Sequence, residues 1–317
     1  MYRIFDLTLD SDIPIPELDE TGISKSSYTI RAWNPESFPG SEPEWFHDIY
    51  DANNNLSLSC GRVNNNYLLR FPELADFLVS LSEKSIVYKP SDDLPEVTIR
   101  HLLLDQVIPR VLGQTGKIIL HASAVNTGND RCIIFTGNTG VGKSTLVSSY
   151  VSLGDTLLTD DCLLLEITGD SIMAIPNYHG LRLYEDSATA LFGDTVTDSE
   201  MAHYTRKKRM WLDEKSKILS ESLPVAAIFV LEPNSNNDQT DIKVSRISGA
   251  NELMTLIRQL FILDATDMKL IANQFKTINQ IVSMPVNIYQ LQFPHDFTQL
   301  GKVQEVIAAT LGIDISH

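Results

Sequence analysis

Cysteine is scarce in this chain, which has Cys60, Cys132 and Cys162 among its 317 residues. No pair of them has the C-x-x-C spacing of a zinc site, and no histidine suited to zinc lies nearby. Cys132 and Cys162 fall within apolar segments that we predict to be buried strands, where cysteine acts as a small hydrophobic residue. The sequence therefore argues against a zinc module, and we expect free thiols in a reducing cytosol.

Long apolar runs are also missing. No stretch approaches the roughly 20 apolar residues that a membrane-spanning helix needs. The N-terminal residues Met1–Asp6 lack the apolar core of a signal peptide. We therefore expect a cytoplasmic protein that does not use a membrane as a partner.

Basic residues are outnumbered, because the chain has 25 Lys and Arg against 41 Asp and Glu and a formal net charge of −16. This charge disfavours nonspecific binding to nucleic acid or to an anionic membrane. The run Arg206-Lys207-Lys208-Arg209 is a local reversal of sign. It is either a solvated basic face or a loop that closes over phosphate oxygens. On the second interpretation, Lys208 and Arg209 bind phosphate.

Composition and patterning predict two domains. Hydrophobic residues make up 43% of the chain and charged residues 21%, which is typical of a globular protein. Residues 1–95 show short alternating segments, and the Asn runs at 53–55 and 64–66 favour hairpin tips. We predict a β-rich N-terminal domain over residues 1–95, which is a scaffold or a recognition surface. Residues 96–317 mix helical and strand patterns and predict an α/β domain with a mixed sheet.

A glycine-rich motif carries the strongest functional signal. It fits the pattern G-x-x-x-x-G-K-S/T and follows the apolar run Cys132–Phe135, which predicts a strand, a tight loop and a helix from about Lys143 through Tyr150. In such a loop the backbone N–H groups and the helix N-terminus bind phosphate. Lys143 is then expected to reach the β- and γ-phosphates, and the Ser144 hydroxyl to bind Mg²⁺. The residues that we assign to a nucleoside triphosphate are Gly137, Asn138, Thr139, Gly140, Val141, Gly142, Lys143, Ser144 and Thr145.

An acidic pair follows the next predicted strand. Asp160 and Asp161 come directly after Thr156–Thr159, and ligands of open α/β sheets bind at the carboxyl ends of strands. Mg²⁺ prefers one or two carboxylates together with phosphate oxygens. A hydroxyl acceptor must also lose its proton during phosphoryl transfer. We assign Asp160 as the base and Asp161, with Ser144, to the metal. The two roles are exchangeable. The alternative is a structural Asp-Asp turn that has no catalytic function.

Two further side chains complete the predicted site. His121 ends the predicted strand Ile118–Leu120, beside the strand of the glycine motif, and could orient Asp160 by a hydrogen bond. A structural histidine is the alternative. Arg182 follows a turn and could contact phosphate or a substrate carboxylate, or form a structural salt bridge.

The chain resembles a known family at these positions. His121-Ala122-Ser123, the glycine motif, Gly154 and the acidic pair are similar to the HPr serine kinases, whose P-loop nucleotide-binding domain is akin to phosphoenolpyruvate carboxykinase. This resemblance covers roughly residues 98–230. It implies an ATP- and Mg²⁺-dependent kinase in which His121, Lys143, Ser144, Asp160 and Asp161 act as the matching family residues do.

The N-terminal region resembles a narrower branch. Phe5–Pro14 and Arg70-Phe71-Pro72 are similar to HPr-kinase-like proteins associated with ribosomally made peptides, including kinases of lasso-peptide precursors. This resemblance implies a peptide serine as the phosphate acceptor. Thr145 stands where HPr kinases commonly have Glu, and their later Glu-Ile-Arg-Gly-Leu-Gly signature has no counterpart. We therefore expect neither phosphorolysis nor HPr as the substrate.

Several alternatives stay open at the level of sequence. The acceptor could be free serine or another small alcohol, or a serine of a globular protein. The chain could also be a non-catalytic nucleotide sensor, although a sensor needs no base for a hydroxyl. The sequence does not distinguish ATP from GTP, and an oligomer is possible.

Overall fold

The computed structural model describes residues 1–34, 40–51, 53–126, 128, 130–178, 180–193, 205, 207–210, 221–233 and 241–313. The chain forms two compact units. The first contains the described residues of Met1–Gly116, Met201–Thr205 and Ile262–Ala272. The second contains those of Lys117–Glu200, Arg206–Phe261 and Asn273–His317. The domain boundary that the sequence suggests near residue 95 stays a prediction.

The first unit is built on a β-sheet that has nine strands in the described part of the chain. The order across the sheet is β3-β1-β2-β4-β9-β8-β7-β6-β5, and β4 runs parallel to β2 and β9 while the other pairs are antiparallel. The strands are β1 (Tyr2–Ile4), β2 (Leu7–Ser11), β3 (Asp19–Glu20), β4 (Tyr28–Ala32), β5 (Glu44–Tyr50), β6 (Leu56–Val63), β7 (Asn66–Phe71), β8 (Ala75–Ser80) and β9 (Ser85–Pro90).

Asparagine-rich tips join the last strands of this sheet as the sequence predicts. Asn54 has φ of 64° and Asn64 has φ of 54°. Asn64 begins the two-residue turn between Val63 and Asn66, which face each other across β6 and β7. Asparagine tolerates this left-handed backbone better than most residues, because its side chain can hydrogen-bond locally.

The second unit is an α/β unit with a mixed sheet, as predicted. Its strands are β10 (Ile118–Leu120), β11 (Ala122–Asn126), β12 (Cys132–Gly137), β13 (Thr156–Thr159), β14 (Leu163–Thr168), β15 (Ser171–Ile175), β16 (Leu181–Leu183), β17 (Lys208–Met210), β18 (Leu223–Glu232), β19 (Lys243–Arg246) and β20 (Asn287–Gln292). β18 runs parallel to both β12 and β20, so the carboxyl ends of these three strands lie at one edge. β11 pairs antiparallel with both β12 and β13. These two strands therefore run in the same direction on either side of β11, and their carboxyl ends lie at the same edge of the sheet.

The helices are α1 (Glu96–Leu102), α2 (Ile108–Gln114), α3 (Lys143–Ser152), α4 (Glu185–Phe192), α5 (Ala250–Ile257), α6 (Met268–Val282) and α7 (Leu300–Leu311). A π-helical turn, Leu103–Val107, joins α1 to α2. None of the helices in the described ranges is long and apolar enough to cross a bilayer. Helix α5 ends at Ile257, and Leu260, three residues later, forms an antiparallel β-bridge with Leu120.

Strand β12 is buried on both faces, which explains its continuous apolar sequence. Ile133 and Phe135 pack into one hydrophobic cluster together with Tyr150 of α3. Cys132 and Ile134 face a second cluster, which covers the other side of the sheet. The alternation follows the two-residue period of a strand. The strand is therefore held firmly up to the point where the glycine loop begins.

Asp264 links the segment Ile262–Ala272 to the β-sheet of the first unit. Its fully buried carboxylate accepts hydrogen bonds from the N–H and hydroxyl of Thr266 at 2.9 and 2.6 Å and from the Tyr67 hydroxyl at 3.3 Å. It also forms an ion pair with Arg62. Although burial alone would raise the pKa of this carboxyl, its donors hold the pKa below the ordinary value. The ionised form is therefore the one that the fold stabilises.

We expect Asp264→Ala to lower the free energy of unfolding of the first unit by about 3 kcal/mol, because it removes a buried acceptor of several hydrogen bonds. Asp10→Ala is the matched control. Asp10 pairs with Arg31 where both side chains are exposed, so its loss should cost about 1 kcal/mol or less. Urea unfolding of the full chain followed by tryptophan fluorescence measures both. Equal losses in the two variants would contradict a stabilising role for Asp264.

Candidate functional site

The predicted strand, loop and helix of the glycine motif are present. β12 continues to Gly137, two residues beyond the predicted strand end, and α3 begins at Lys143. Gly137, Gly140 and Gly142 have φ of 139°, 85° and 98°. At Gly137 a Cβ atom would lie 2.5 Å from the carbonyl oxygen of Leu231 in β18. Glycine is therefore required there both by the backbone conformation and by the close approach of the parallel strand.

The loop is anchored at its end and open in its middle. Val141 packs into the core, and a Cβ on Gly142 would meet the Phe293 ring at 3.5 Å. Residues 138–140 are exposed. In the described part of the chain no side chain caps the N-terminus of α3. The first amides of the helix therefore lack a side-chain acceptor, which is the arrangement that favours an anion.

Lys143 folds back over the loop that precedes it. Its side chain is buried, and its ammonium donates hydrogen bonds to the carbonyl oxygens of Gly137 at 2.9 Å and Asn138 at 3.0 Å. Burial lowers the pKa of this ammonium to about 8, although the charge of Asp161 raises it. Ser144 is buried beside it, and the Thr145 hydroxyl lies 3.3 Å from that of Ser187. The two carbonyl oxygens and the charge of Asp161 therefore compensate the positive charge of the Lys143 ammonium only in part.

The acidic pair lies in a tight turn at the end of β13. β13 has the predicted bounds, and the Cys162 N–H donates to the Asp160 carbonyl oxygen at 2.9 Å. Asp161 has φ of 66°, a left-handed conformation that costs a non-glycine residue roughly 1–2 kcal/mol. Such strain persists only where the surroundings fix the residue, and it is common at functional sites.

The two carboxylates have different partners. Asp160 accepts a hydrogen bond from the Ser123 hydroxyl at 2.6 Å and one from the backbone N–H of Arg182 at 3.2 Å. Asp161 lies 3.3 Å from the Arg182 guanidinium and 3.7 Å from Nε2 of His121. Arg182 thus contacts both acids, one through its backbone and the other through its side chain.

These partners separate the pKa values of the two acids. Burial raises the pKa of the Asp160 carboxyl, and the negative charge of Asp161 raises it further. Burial alone would also raise the pKa of Asp161, but the charge of Lys207, the contact with His121 and the charge of Arg182 hold it well below the ordinary value. Removal from water lowers the pKa of His121, so its neutral form is favoured. The pair therefore contains one proton acceptor of raised basicity and one firmly ionised carboxylate.

His121 contacts a different member of the acidic pair from the one that the sequence predicted, and Ser123 contacts the other member. The sequence assigned His121 to Asp160, whereas the structure places the imidazole against Asp161. Ser123, which was not assigned a role, donates to Asp160 from a fully buried position. The signal for Ser123 was its place two residues after His121 on the same edge of the sheet. Its partner, however, lies 37 residues further along the chain.

The basic run contributes two residues whose side chains are described here. The Lys207 ammonium lies 3.4 Å from the Ser144 hydroxyl, and the buried Arg209 stacks on Tyr178 and donates to its hydroxyl at 3.2 Å. Lys208 lies in β17, which pairs with β16. Arg206 lies outside the described residues. The assignment of Lys208 and Arg209 to phosphate stays a prediction, whereas Lys207, which it omitted, lies at the glycine loop.

The residues present fit a divalent cation that is shared with phosphate oxygens. Among the described residues, no group of three or more His, Cys, Asp or Glu side chains could hold a metal alone. Mg²⁺ bound with a nucleotide needs only one or two protein oxygens. Ser144 and Asp161 offer a hydroxyl and an ionised carboxylate, and the ammonium of Lys207 shows that a cation is accepted beside them.

Comparison with known proteins adds one structural likeness. No protein-family model matches the sequence, and no curated protein matches it. Among solved structures, the chain is similar to the HPr(Ser) kinase/phosphatase from Coxiella burnetii, with 12% identity and a TM-score of 0.33. The match covers 61% of this chain and 97% of that chain. At this identity and TM-score the function has to be inferred from the site residues themselves.

We expect Gly137→Ala to lower the free energy of unfolding of the second unit by about 3 kcal/mol, because it adds both backbone strain and a clash with β18. Gly140→Ala is the matched control. Its φ is also positive, but no described atom lies within 4 Å of the added Cβ, so only a backbone cost of roughly 1–2 kcal/mol is expected. Urea unfolding compares the two. A smaller loss in Gly137→Ala than in Gly140→Ala would contradict the requirement for glycine at the strand end.

Proposed function

We propose that this chain is an ATP- and Mg²⁺-dependent kinase that transfers the γ-phosphate to a serine hydroxyl of a peptide. One observation carries the proposal. A buried acidic pair with separated pKa values lies in the same unit as a glycine loop that leads into an uncapped helix, and Lys207 contacts the loop and acts on both acids. Phosphoryl transfer to an alcohol requires a phosphate site, a metal ligand and a proton acceptor. Each has a candidate here.

The glycine loop and Lys143 form the proposed triphosphate site. The exposed amides of residues 138–140 and the first amides of α3 are available to phosphate oxygens. Lys143 now donates to two loop carbonyls and can exchange them for phosphate oxygens, which are stronger acceptors. Ser144 and Asp161 would hold Mg²⁺, which neutralises charge on the β- and γ-phosphates when it is bound.

Asp160 is the proposed base. Its raised pKa makes it a better proton acceptor than an ordinary aspartate. The hydrogen bonds from Ser123 and Arg182 fix one donor on each carboxylate oxygen, and each oxygen keeps a further lone pair for the acceptor hydroxyl. Arg182 and Lys207 place positive charge at the site, where it can stabilise the transferring phosphoryl group.

The peptide acceptor is the most specific part of the proposed activity. Its support is the resemblance of Phe5–Pro14 and Arg70-Phe71-Pro72 to kinases of ribosomally made precursor peptides, including lasso-peptide precursors. On this view the β-rich first unit recognises the peptide while the second unit transfers phosphate.

Incubation of the full chain with ATP, Mg²⁺ and candidate precursor peptides tests the proposal directly. Intact-mass analysis is expected to show the addition of one phosphate, and fragmentation should place it on a serine. A parallel series with GTP establishes the nucleotide. Phosphorylation of free serine without any peptide product would favour a small-alcohol kinase. A preference for folded proteins over short peptides would indicate a protein serine as the acceptor.

Asp160→Asn separates a kinase from a nucleotide sensor. We expect this substitution to lower kcat by roughly 10²–10⁴-fold, because the general base is lost, while calorimetry should show nearly unchanged ATP affinity. Asp170→Asn, on the exposed turn between β14 and β15, serves as the control and should keep full activity. An Asp160→Asn protein that transfers phosphate at the normal rate would show that Asp160 is not the base.

A further inference from the structure

Lys207 contacts the oxygen that the proposed function assigns to a metal. Its ammonium lies 3.4 Å from the Ser144 hydroxyl and 5.8 Å from the centre of the Tyr184 ring. Its charge acts on Asp160 and Asp161 as well. A cation carried by the protein itself is therefore already present beside the hydroxyl and the ionised carboxylate that fit Mg²⁺.

The other described cations of the site have different positions. Lys143 is held by the carbonyl oxygens of Gly137 and Asn138. Arg182 pairs with Asp161, and Arg209 stacks on Tyr178. Lys207 differs in that its ammonium contacts the Ser144 hydroxyl, while its charge also helps to hold the pKa of Asp161 well below the ordinary value. A metal bound by these two oxygens would therefore have to take the place of the Lys207 ammonium.

An ammonium and a divalent cation compete for these oxygens. Lys has three donors and needs oxygen acceptors, whereas Mg²⁺ needs oxygen ligands at short distance. Two positive charges repel each other strongly where water is largely excluded, and Ser144 and Asp161 are both buried. Free Mg²⁺ should therefore bind poorly while Lys207 stays in place.

A nucleotide changes this balance. A triphosphate brings several negative charges, which give Lys207 new acceptors and supply the remaining ligands of the metal. We propose that Lys207 holds the metal position of the nucleotide-free protein and yields it to the divalent cation that arrives with the triphosphate. This inference rests on the proposed nucleotide site. It assigns Lys207 as a positioning residue that makes metal binding depend on the nucleotide.

Binding of Mn²⁺ to the nucleotide-free full chain tests the proposal. Mn²⁺ accepts the same oxygen ligands as Mg²⁺, and the free ion can be counted by electron paramagnetic resonance. We expect Lys207→Met to bind Mn²⁺ at least tenfold more tightly than the wild-type protein. Lys207→Arg, which keeps the charge, should resemble the wild type. Lys302→Met removes an exposed charge from α7 and should have no effect beyond a small change in the general field.

A double variant shows whether the gain arises at this site. Asp161→Asn in the Lys207→Met background should abolish the tighter binding, because the ionised carboxylate is lost. Unchanged or weaker Mn²⁺ binding by Lys207→Met would overturn the proposal, as would a gain that survives Asp161→Asn. Lys207→Gln replaces Lys207→Met if the latter is insoluble.

ATP affinity, measured separately with excess Mg²⁺, distinguishes failure of the proposed role of Lys207 from failure of the proposed nucleotide site. ATP binding by the wild type together with equal Mn²⁺ affinity in Lys207→Met would reject the role of Lys207 alone. A wild-type protein that binds no ATP would reject the nucleotide site on which that role depends.

Discussion

Two neighbouring carboxylates buried in one turn raise each other's pKa unless cations or hydrogen-bond donors compensate their charge. This constraint shapes the second unit around Asp160 and Asp161. The left-handed conformation at Asp161 breaks the regular alternation of the chain, and the two side chains meet different partners. Asp160 receives a hydroxyl and a backbone amide, whereas Asp161 receives the charges of Arg182 and Lys207. The strained backbone at Asp161 thus occurs together with hydrogen bonds and charges that stabilise the two carboxylates.

Arg182 reaches both acids because the core fixes the strand that carries it. Leu181 and Leu183 of β16 are buried in the hydrophobic cluster that also contains Phe135 and Tyr150. Since side chains alternate along a strand, Arg182 must point to the opposite side. Packing of two leucines therefore determines the position of a guanidinium, and a change in their volume would act on the pKa of Asp161 without touching it.

Local patterns were enough to predict the main parts of the site. The strand, the glycine loop and the helix occur within about twenty residues, and the turn at Asp160-Asp161 follows its strand directly, so each depends on interactions close in sequence. The contact between Lys207 and Ser144 spans 63 residues, and no short-range pattern indicates it. The assignment of His121 failed for a related reason. Which of two adjacent acids faces it depends on the φ of Asp161, which the sequence does not specify.

The same competition between local and distant interactions shortened α5. Its helical pattern continues past Ile257, but the N–H of His121 donates to the Gln259 carbonyl and the N–H of Phe261 donates to the Ile119 carbonyl. Residues 259–261 thus pair with β10 and its neighbour, and strand-like bonds replace the last helical turn. This pairing also brings the centre of the Phe261 ring to 6.0 Å from that of His121. The segment that follows α5 therefore packs against a residue of the candidate site.

Local charge, rather than the net charge of −16, decides which ligand this site can attract. The site contains the cations Lys143, Arg182 and Lys207 against two acids, of which Asp160 is the more easily neutralised. Surface charges are screened beyond about 8 Å at physiological salt, whereas buried charges keep their influence over a ligand in contact with them. A small polyanion that enters the site therefore meets a positive field. An extended polyanion would also be repelled by the net negative charge of the chain, which agrees with the proposed nucleotide rather than a nucleic acid.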